Sequence, residues 1–257
     1  MIHWRESGQG RAITLLHGIS SGADSWHKQL AAPGKARLLA WDMPGYGNSD
    51  DLALFDGEVE KYVAALAEML NQARVGQTVL VGHSLGALIA AAFSALYPGR
   101  VSYLVLADPA QGYGQAPAAQ RQQVWQQRQQ QIAAGGETMA RQRAHRLLRP
   151  GALSEDIRTV AGTMARLREK GFLGAARLLA EGDIHPWLSR WRGPLQVWCG
   201  EQDTITPPER ARDLARRYGG TYYGIPDAGH ASYLDNPHDV NRLLEGVLEE
   251  IAYEHTH

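Results

Sequence analysis

The stretch Val79-Leu80-Val81-Gly82-His83-Ser84-Leu85-Gly86 decides how this chain is read. A β-branched and leucine run stops at Gly82, a serine follows two residues later, and after a second glycine comes the apolar, alanine-rich segment Ala87 to Leu96. The first run reads as a buried strand and the last as a helix. The whole is strand, sharp turn and helix, with Gly-x-Ser-x-Gly at the turn. Ser84 is expected in a strained backbone conformation that lifts its hydroxyl clear of the sheet. A side chain larger than hydrogen at 82 or 86 would collide with a neighbouring strand or helix. The Leu85 N–H would open the helix, where unpaired donors and the dipole favour negative charge. The same pattern also fits a glycine-flanked serine in an ordinary connection, so its meaning depends on partners elsewhere in the chain.

Composition narrows the field. The chain has 257 residues, 44% of them apolar, which suits one α/β core with an insertion. A net charge of −1 argues against nucleic acid or an anionic membrane as the main partner. No stretch approaches bilayer-spanning length, and Met1-Ile2-His3-Trp4-Arg5-Glu6 lacks the apolar region of a secretory signal. The single cysteine, Cys199, excludes an internal disulfide and fits a reducing compartment. It lies in the apolar run Leu195 to Cys199 and reads as a small buried residue in preference to a reactive thiol. These features point to a soluble, cytoplasmic protein. The ten histidines are not clustered at metal-ligand spacings; the close pair His255 and His257 falls in the terminal tail.

Working outward, strands are expected in the first eight residues, at Ala12 to Leu16, Ala36 to Trp41, Val101 to Leu106, Leu195 to Cys199 and Thr221 to Ile225. Helices are expected at Trp26 to Ala32, at Asp56 to Ala73 with Val59, Val63, Leu66 and Leu70 on one face, and at Glu209 to Tyr218. Val240, Leu243, Leu244, Val247, Leu248 and Ile251 form the core stripe of a final helix that Asn236-Pro237 starts. The alternation argues for a mostly parallel sheet covered on both faces.

That rhythm breaks between Pro109 and Pro186, where only helical patterns occur: Pro117 to Ala134, Glu137 to Leu148, Glu155 to Lys170 and Phe172 to Leu179. Gly135-Gly136, Pro150-Gly151 and Gly171 punctuate them. In the first, Val124, Trp125 and Ile132 share a face, and the many glutamines read as solvated surface. The chain therefore divides into a core, residues 1–111 and 189–257, and a helical insertion, residues 112–188. The insertion carries eleven Lys or Arg against six Asp or Glu. Solvated helix faces account for this surplus; the alternative is a positive potential focused in a cleft that attracts anionic substrates.

A serine hydroxyl is a poor nucleophile until a base removes its proton. Asp203 and His230 both follow expected strands, in the chain order Ser, Asp, His that accompanies a nucleophile elbow. Taken singly, Asp203 could cap a helix and His230 could brace its loop; together with Ser84 they fit one mechanism. Asp42, His17 and His83 read as loop-holding residues. Ser20 and Ser21 could contact substrate or satisfy loop backbone. In the insertion, Trp125, Met139, Met164 and Phe172 are substrate-pocket candidates, with core packing as the favoured competing role.

The chain resembles the α/β-hydrolase superfamily over nearly its whole length, through His17-Gly18, Asp42 to Ser49, the elbow, Gly200 to Asp203 and Gly229-His230, all in order. The resemblance implies the α/β-hydrolase fold, with seven or eight mostly parallel strands, an antiparallel one near the start, helices on both faces and the insertion as a lid. Family members usually have two strands before the one ending in His-Gly, and here there is room for one. The resemblance also implies that Ile19 supplies an oxyanion N–H beside that of Leu85, and that no metal or organic cofactor is required. Some members take their acid from the position of Asp108; Asp203 is favoured here. A serine in the elbow argues against haloalkane dehalogenases and epoxide hydrolases, which place aspartate there. Hydrolysis of a small or medium carboxylic ester or lactone leads. Carbon–carbon cleavage of ring-fission diketones is the alternative, because such enzymes usually carry tryptophan after the histidine where Ala231-Ser232-Tyr233 stand here. A weakly catalytic small-molecule-binding member of the fold is the remaining reading. Oligomeric state has no signature in the sequence.

Overall fold

A computed structural model describes residues 1–254; His255 and His257 lie outside the described residues. Seven strands form one sheet: β1 (Trp4–Gly8), β2 (Arg11–Leu16), β3 (Ala36–Trp41), β4 (Thr78–His83), β5 (Val101–Ala107), β6 (Leu195–Gly200) and β7 (Thr221–Ile225). Their spatial order is β1-β3-β2-β4-β5-β6-β7. β1 pairs antiparallel with β3, Trp4 opposite Trp41, and every other pairing is parallel. One strand, β1, precedes β2 among the described residues, so the sheet has seven strands.

The central strand β4 is buried along its whole length, as a parallel strand covered on both faces must be. It sits between β2, with Leu16 opposite Gly82, and β5, with His83 opposite Ala107. Parallel pairing puts the C-terminal ends of β2, β4, β5, β6 and β7 along one edge, where open α/β sheets carry their sites. The loops leaving that edge hold Gly18 to Ser21, Ser84, Asp108, Asp203 and His230.

Helix boundaries follow local chemistry. Helix Leu85–Leu96 is buried from Leu85 through Ser94, so it is apolar all round. The last helix, Pro237–Glu254, is capped by Asn236, whose Oδ1 accepts the Asp239 N–H at 3.1 Å. Its stripe Val240, Leu244, Val247 and Ile251 is buried against the core.

Between β5 and β6 every regular element is helical: Ala118–Ala133, Gly136–Arg143, Ser154–Ala165, Glu169–Glu181 and short turns. Around Gly171 two boundaries differ from the sequence reading. The segment at 155–170 ends at Ala165, and the next helix begins at Glu169, so Gly171 lies inside a helix. Arg168, with extended backbone (φ −89°, ψ 133°), separates the two. Gly171 is needed for close approach: a Cβ there would lie 2.1 Å from the Gly45 carbonyl oxygen, and one on Gly174 would lie 2.3 Å from the Phe55 ring. A helix face without side chains seats this insertion on the core loops.

Candidate active site

The elbow has the geometry its sequence demands. Ser84 takes φ 53°, ψ −118°, a left-handed conformation costly for a non-glycine residue. A Cβ on Gly82 would sit 2.4 Å from the Gly86 carbonyl oxygen, and one on Gly86 2.5 Å from that of Leu16. The turn is held from beneath by Ser84 N–H to the Ala107 carbonyl at 3.0 Å.

A continuous hydrogen-bond chain runs from this serine. Ser84 Oγ is 2.9 Å from His230 Nε2, and His230 Nδ1 is 2.8 Å from Asp203 Oδ2. All three residues are buried. Asp203 Oδ1 accepts the backbone N–H groups of Ile205 (2.8 Å) and Thr206 (3.0 Å), while Oδ2 accepts the Thr206 hydroxyl at 2.7 Å. Burial alone would raise the Asp203 carboxyl, but the His230 charge and these donors hold it below the usual range, so it stays ionised. Burial alone would depress His230; the charge and hydrogen bond of Asp203 outweigh that and set its pKa above the usual histidine value. An ionised Asp203 places the proton of neutral His230 on Nδ1 and turns the Nε2 lone pair toward Ser84.

The neighbouring groups brace this chain. His83 Nε2 donates to the His230 carbonyl at 2.7 Å, and burial pushes His83 down to about 3, which keeps it neutral. His17 accepts the Met43 N–H at Nε2 (3.0 Å) and donates from Nδ1 to the Gly18 carbonyl (2.8 Å). Asp42 accepts from Ala23 N–H at 3.0 Å and Asn48 N–H at 3.2 Å. Asp108 makes no hydrogen bond to His230: it accepts the Gly200 N–H (2.7 Å) and bonds the Ser232 hydroxyl (2.5 Å). Burial and the nearby Asp203 charge raise the Asp108 carboxyl far above its ordinary range. It therefore ties β5 to β6 and to the loop after His230.

Asp108, Cys199 and Asp203 have ligand atoms within 4.8 Å of one another, but hydrogen bonds already occupy the two carboxylates. Burial and both carboxylates raise the Cys199 thiol, the opposite of what a metal-binding thiolate needs.

Above Ser84 lies a cavity of about 840 Å³, counting its open mouth. Gly18, Ile19, Ser20, Ser21, Leu85 and His230 line its floor, and Tyr113, Arg128, Arg143, Leu147, Leu179 and Arg210 also border it. The N–H groups of Ile19 and Leu85 donate to no protein group among the described residues, and both residues border the cavity beside Ser84. A Cβ on Gly18 would lie 2.9 Å from Ser84 Cβ, so the loop after β2 runs directly against the turn that carries Ser84.

Of the pocket candidates in the insertion, Met139, Met164 and Phe172 take the competing role of core packing: they are buried in the packing of the insertion and do not border the cavity. Trp125 lies on the outer side under the Arg177 guanidinium, 4.4 Å from its ring centre. These long apolar side chains join the packing of the insertion with the core, while Arg128, Arg143, Leu147 and Leu179 are among the insertion residues that border the cavity. Arg128 and Thr206 also border the cavity, and the sequence reading assigns neither of them a role. Arg128 was legible: it falls at i+4 from Val124 and i−4 from Ile132, a cation in the middle of the apolar stripe. Thr206 has no such pattern, since its role depends on a turn that only the folded loop shows.

A family model described as an alpha/beta hydrolase fold matches residues 11–237. The chain belongs to the α/β-hydrolase family. Among curated members it is 28% identical over 260 residues to pimeloyl-[acyl-carrier protein] methyl ester esterase of Chromobacterium violaceum, covering 95% of this chain and 97% of that one. It is 23% identical over 243 residues to 3-oxoadipate enol-lactonase 2 of Acinetobacter baylyi, covering 93% and 88%. Among solved α/β-hydrolase structures, a thermophilic esterase from Thermogutta terrifontis superposes with a TM-score of 0.85 at 25% identity, covering 97% and 93%. Family and relatives together support a hydrolase. No helix among the described residues is long and apolar enough to cross a membrane.

Proposed function

We propose that the protein is a serine hydrolase that cleaves a small or medium carboxylic ester or lactone through an acyl-enzyme on Ser84, beneath a lid formed by residues 112–188. The observation that carries this reading is the chain Asp203–His230–Ser84, with bonds of 2.8 and 2.9 Å, opening into a cavity beside two unpaired backbone N–H groups.

In the proposed cycle His230 Nε2 takes the Ser84 proton as Oγ attacks the substrate carbonyl. The Ile19 and Leu85 N–H groups receive the negative charge on the former carbonyl oxygen; one such donor is typically worth about a hundredfold in rate. The imidazolium proton passes to the leaving alkoxide, and the acyl group stays on Ser84. A water then gives its proton to His230, attacks the acyl carbon and releases the acid, restoring the serine hydroxyl. Asp203 holds the imidazole tautomer throughout and stabilises its charged form. Ser20 borders the cavity, and in this reading its hydroxyl contacts the substrate.

Covalent labelling with a fluorophosphonate, followed by peptide mass spectrometry, tests the nucleophile: Ser84 is expected to carry the adduct. A panel of short esters, lactones and ring-fission diketones, run with wild type and Ser84→Ala, tests the bond type. Turnover of diketones alone moves the assignment to carbon–carbon hydrolysis. No adduct and no turnover across the panel would leave a binding protein.

A further inference from the structure

The cavity wall has an unusual charge pattern. Three arginines border it, Arg128 and Arg143 from the insertion and Arg210 from the helix after β6, and no Asp or Glu does. Arg210 is exposed at the rim, whereas Arg128 and Arg143 are half-buried. Three other arginines of the insertion have ion-pair partners, Arg166 with Asp24 at 3.9 Å, Arg168 with Asp51 at 3.1 Å and Arg177 with Glu181 at 2.9 Å.

Arg128 and Arg143 lack such partners among the described residues. A guanidinium has five N–H donors. Arg128 uses one, to the Gln131 side-chain oxygen at 3.2 Å, and the Nε of Arg143 is buried with no acceptor. Burial and the adjacent positive charge of Arg143 push Arg128 down to about 10, so it remains charged at neutral pH. Burial lowers Arg143 as well, with Arg146 adding to the effect. Two like charges taken partly out of water and left without counter-charge form an incomplete arrangement. An anion would complete it, and the cavity that both arginines border can hold one.

We propose that Arg128 and Arg143 bind a free carboxylate on the substrate, so that the enzyme selects half-esters or lactones carrying a second, ionised carboxyl group. The planar guanidinium fork matches a carboxylate bidentately and would fix which ester carbonyl reaches Ser84. The rim position of Arg210 adds attraction at the entrance. This proposal rests on the serine hydrolase reading for its chemistry but not for its binding step.

Two measurements separate the two. The first is calorimetric titration of glutarate and adipate into Ser84→Ala protein, with the neutral adipamide as control. Binding of a dianion is expected, with adipamide at least tenfold weaker, and Arg128→Gln or Arg143→Gln introduced into Ser84→Ala is expected to weaken the dianion at least tenfold. The second compares kcat/KM for mono-4-nitrophenyl adipate with that for its methyl-capped neutral analogue. The anionic ester is expected to lead at least tenfold in wild type, and the ratio to fall at least tenfold in either arginine variant, with Arg128→Lys keeping part of it. Arginine-dependent dianion binding without Ser84 labelling would sink the hydrolase reading and leave the anion site standing. Labelling and ester turnover with no preference for the anion, and no arginine-dependent binding, would overturn the anion site alone. Should Arg128→Gln fail to fold, Arg143→Gln carries the same comparison.

Discussion

Replacing each buried aspartate near His230 with asparagine should separate them by about three orders of magnitude. Asp203 bonds His230 Nδ1 at 2.8 Å and accepts three further donors from Ile205 and Thr206. In Asp203→Asn the amide oxygen can still serve the loop, leaving the amide NH₂ toward Nδ1. The imidazole would then carry its proton on Nε2, facing Ser84, where it cannot act as base. A tautomer error of this kind costs about ten-thousandfold in kcat, or about 5.5 kcal/mol of transition-state stabilisation. Asp108 makes no bond to His230, and its raised pKa favours a neutral carboxyl that asparagine imitates. Its bonds to Gly200 N–H and Ser232 would be kept or exchanged at the cost of about one hydrogen bond, ~1 kcal/mol, which is less than about tenfold in rate. The assay is the rate of fluorophosphonate labelling alongside kcat/KM on a 4-nitrophenyl ester, with thermal unfolding to establish that both variants fold. A folded Asp108→Asn protein as inactive as Asp203→Asn would refute the assignment of the acid.

The acid limb of the pH profile offers a second check. His230 must be neutral to accept the Ser84 proton, and its pKa is raised, so kcat/KM should fall as pH drops through an apparent value above the usual ~6.5. Asp203→Asn removes the charge responsible, so the residual activity of that variant should show its limb at lower pH; a wild-type limb below ~6.5 would contradict the electrostatics. Two glycines in the insertion should respond oppositely to alanine. Gly162→Ala, with only the flexible Arg166 side chain near its Cβ, should stabilise the fold by up to about 1 kcal/mol. Gly171→Ala, driven against the Gly45 backbone, should destabilise it by about 1–2 kcal/mol net of the helix gain, and equal shifts of the urea midpoint for both would disprove the close contact.

Much of the fold was readable because parallel strands buried on both faces leave unbroken apolar runs, as in Val79 to Val81, and the final helix leaves a stripe from Val240 to Ile251. The strand-turn-helix around Ser84 was equally legible, since Gly-x-Ser-x-Gly between an apolar strand and an apolar helix is a local pattern. The crowding that requires glycine comes from the turn itself at Gly82 (2.4 Å to the Gly86 carbonyl oxygen) and from the neighbouring strand at Gly86 (2.5 Å to that of Leu16). The insertion was harder. Gly171 looked like a helix breaker because close packing and termination both call for glycine. Phe172, Met139 and Met164 left pocket and core packing both open, with core packing favoured, because hydrophobicity alone does not tell which neighbour a helix faces.

By itself, then, the sequence determined the order of strands and helices, the strained serine and the candidate acid and base, each written in a local pattern or in chain order. Tertiary structure decided that β5, β6 and β7 lie side by side, so that Asp203 and not Asp108 meets His230. It also decided that Arg128 and Arg143 turn toward the cavity. Those outcomes depend on distances between residues far apart in the chain, which no local periodicity records.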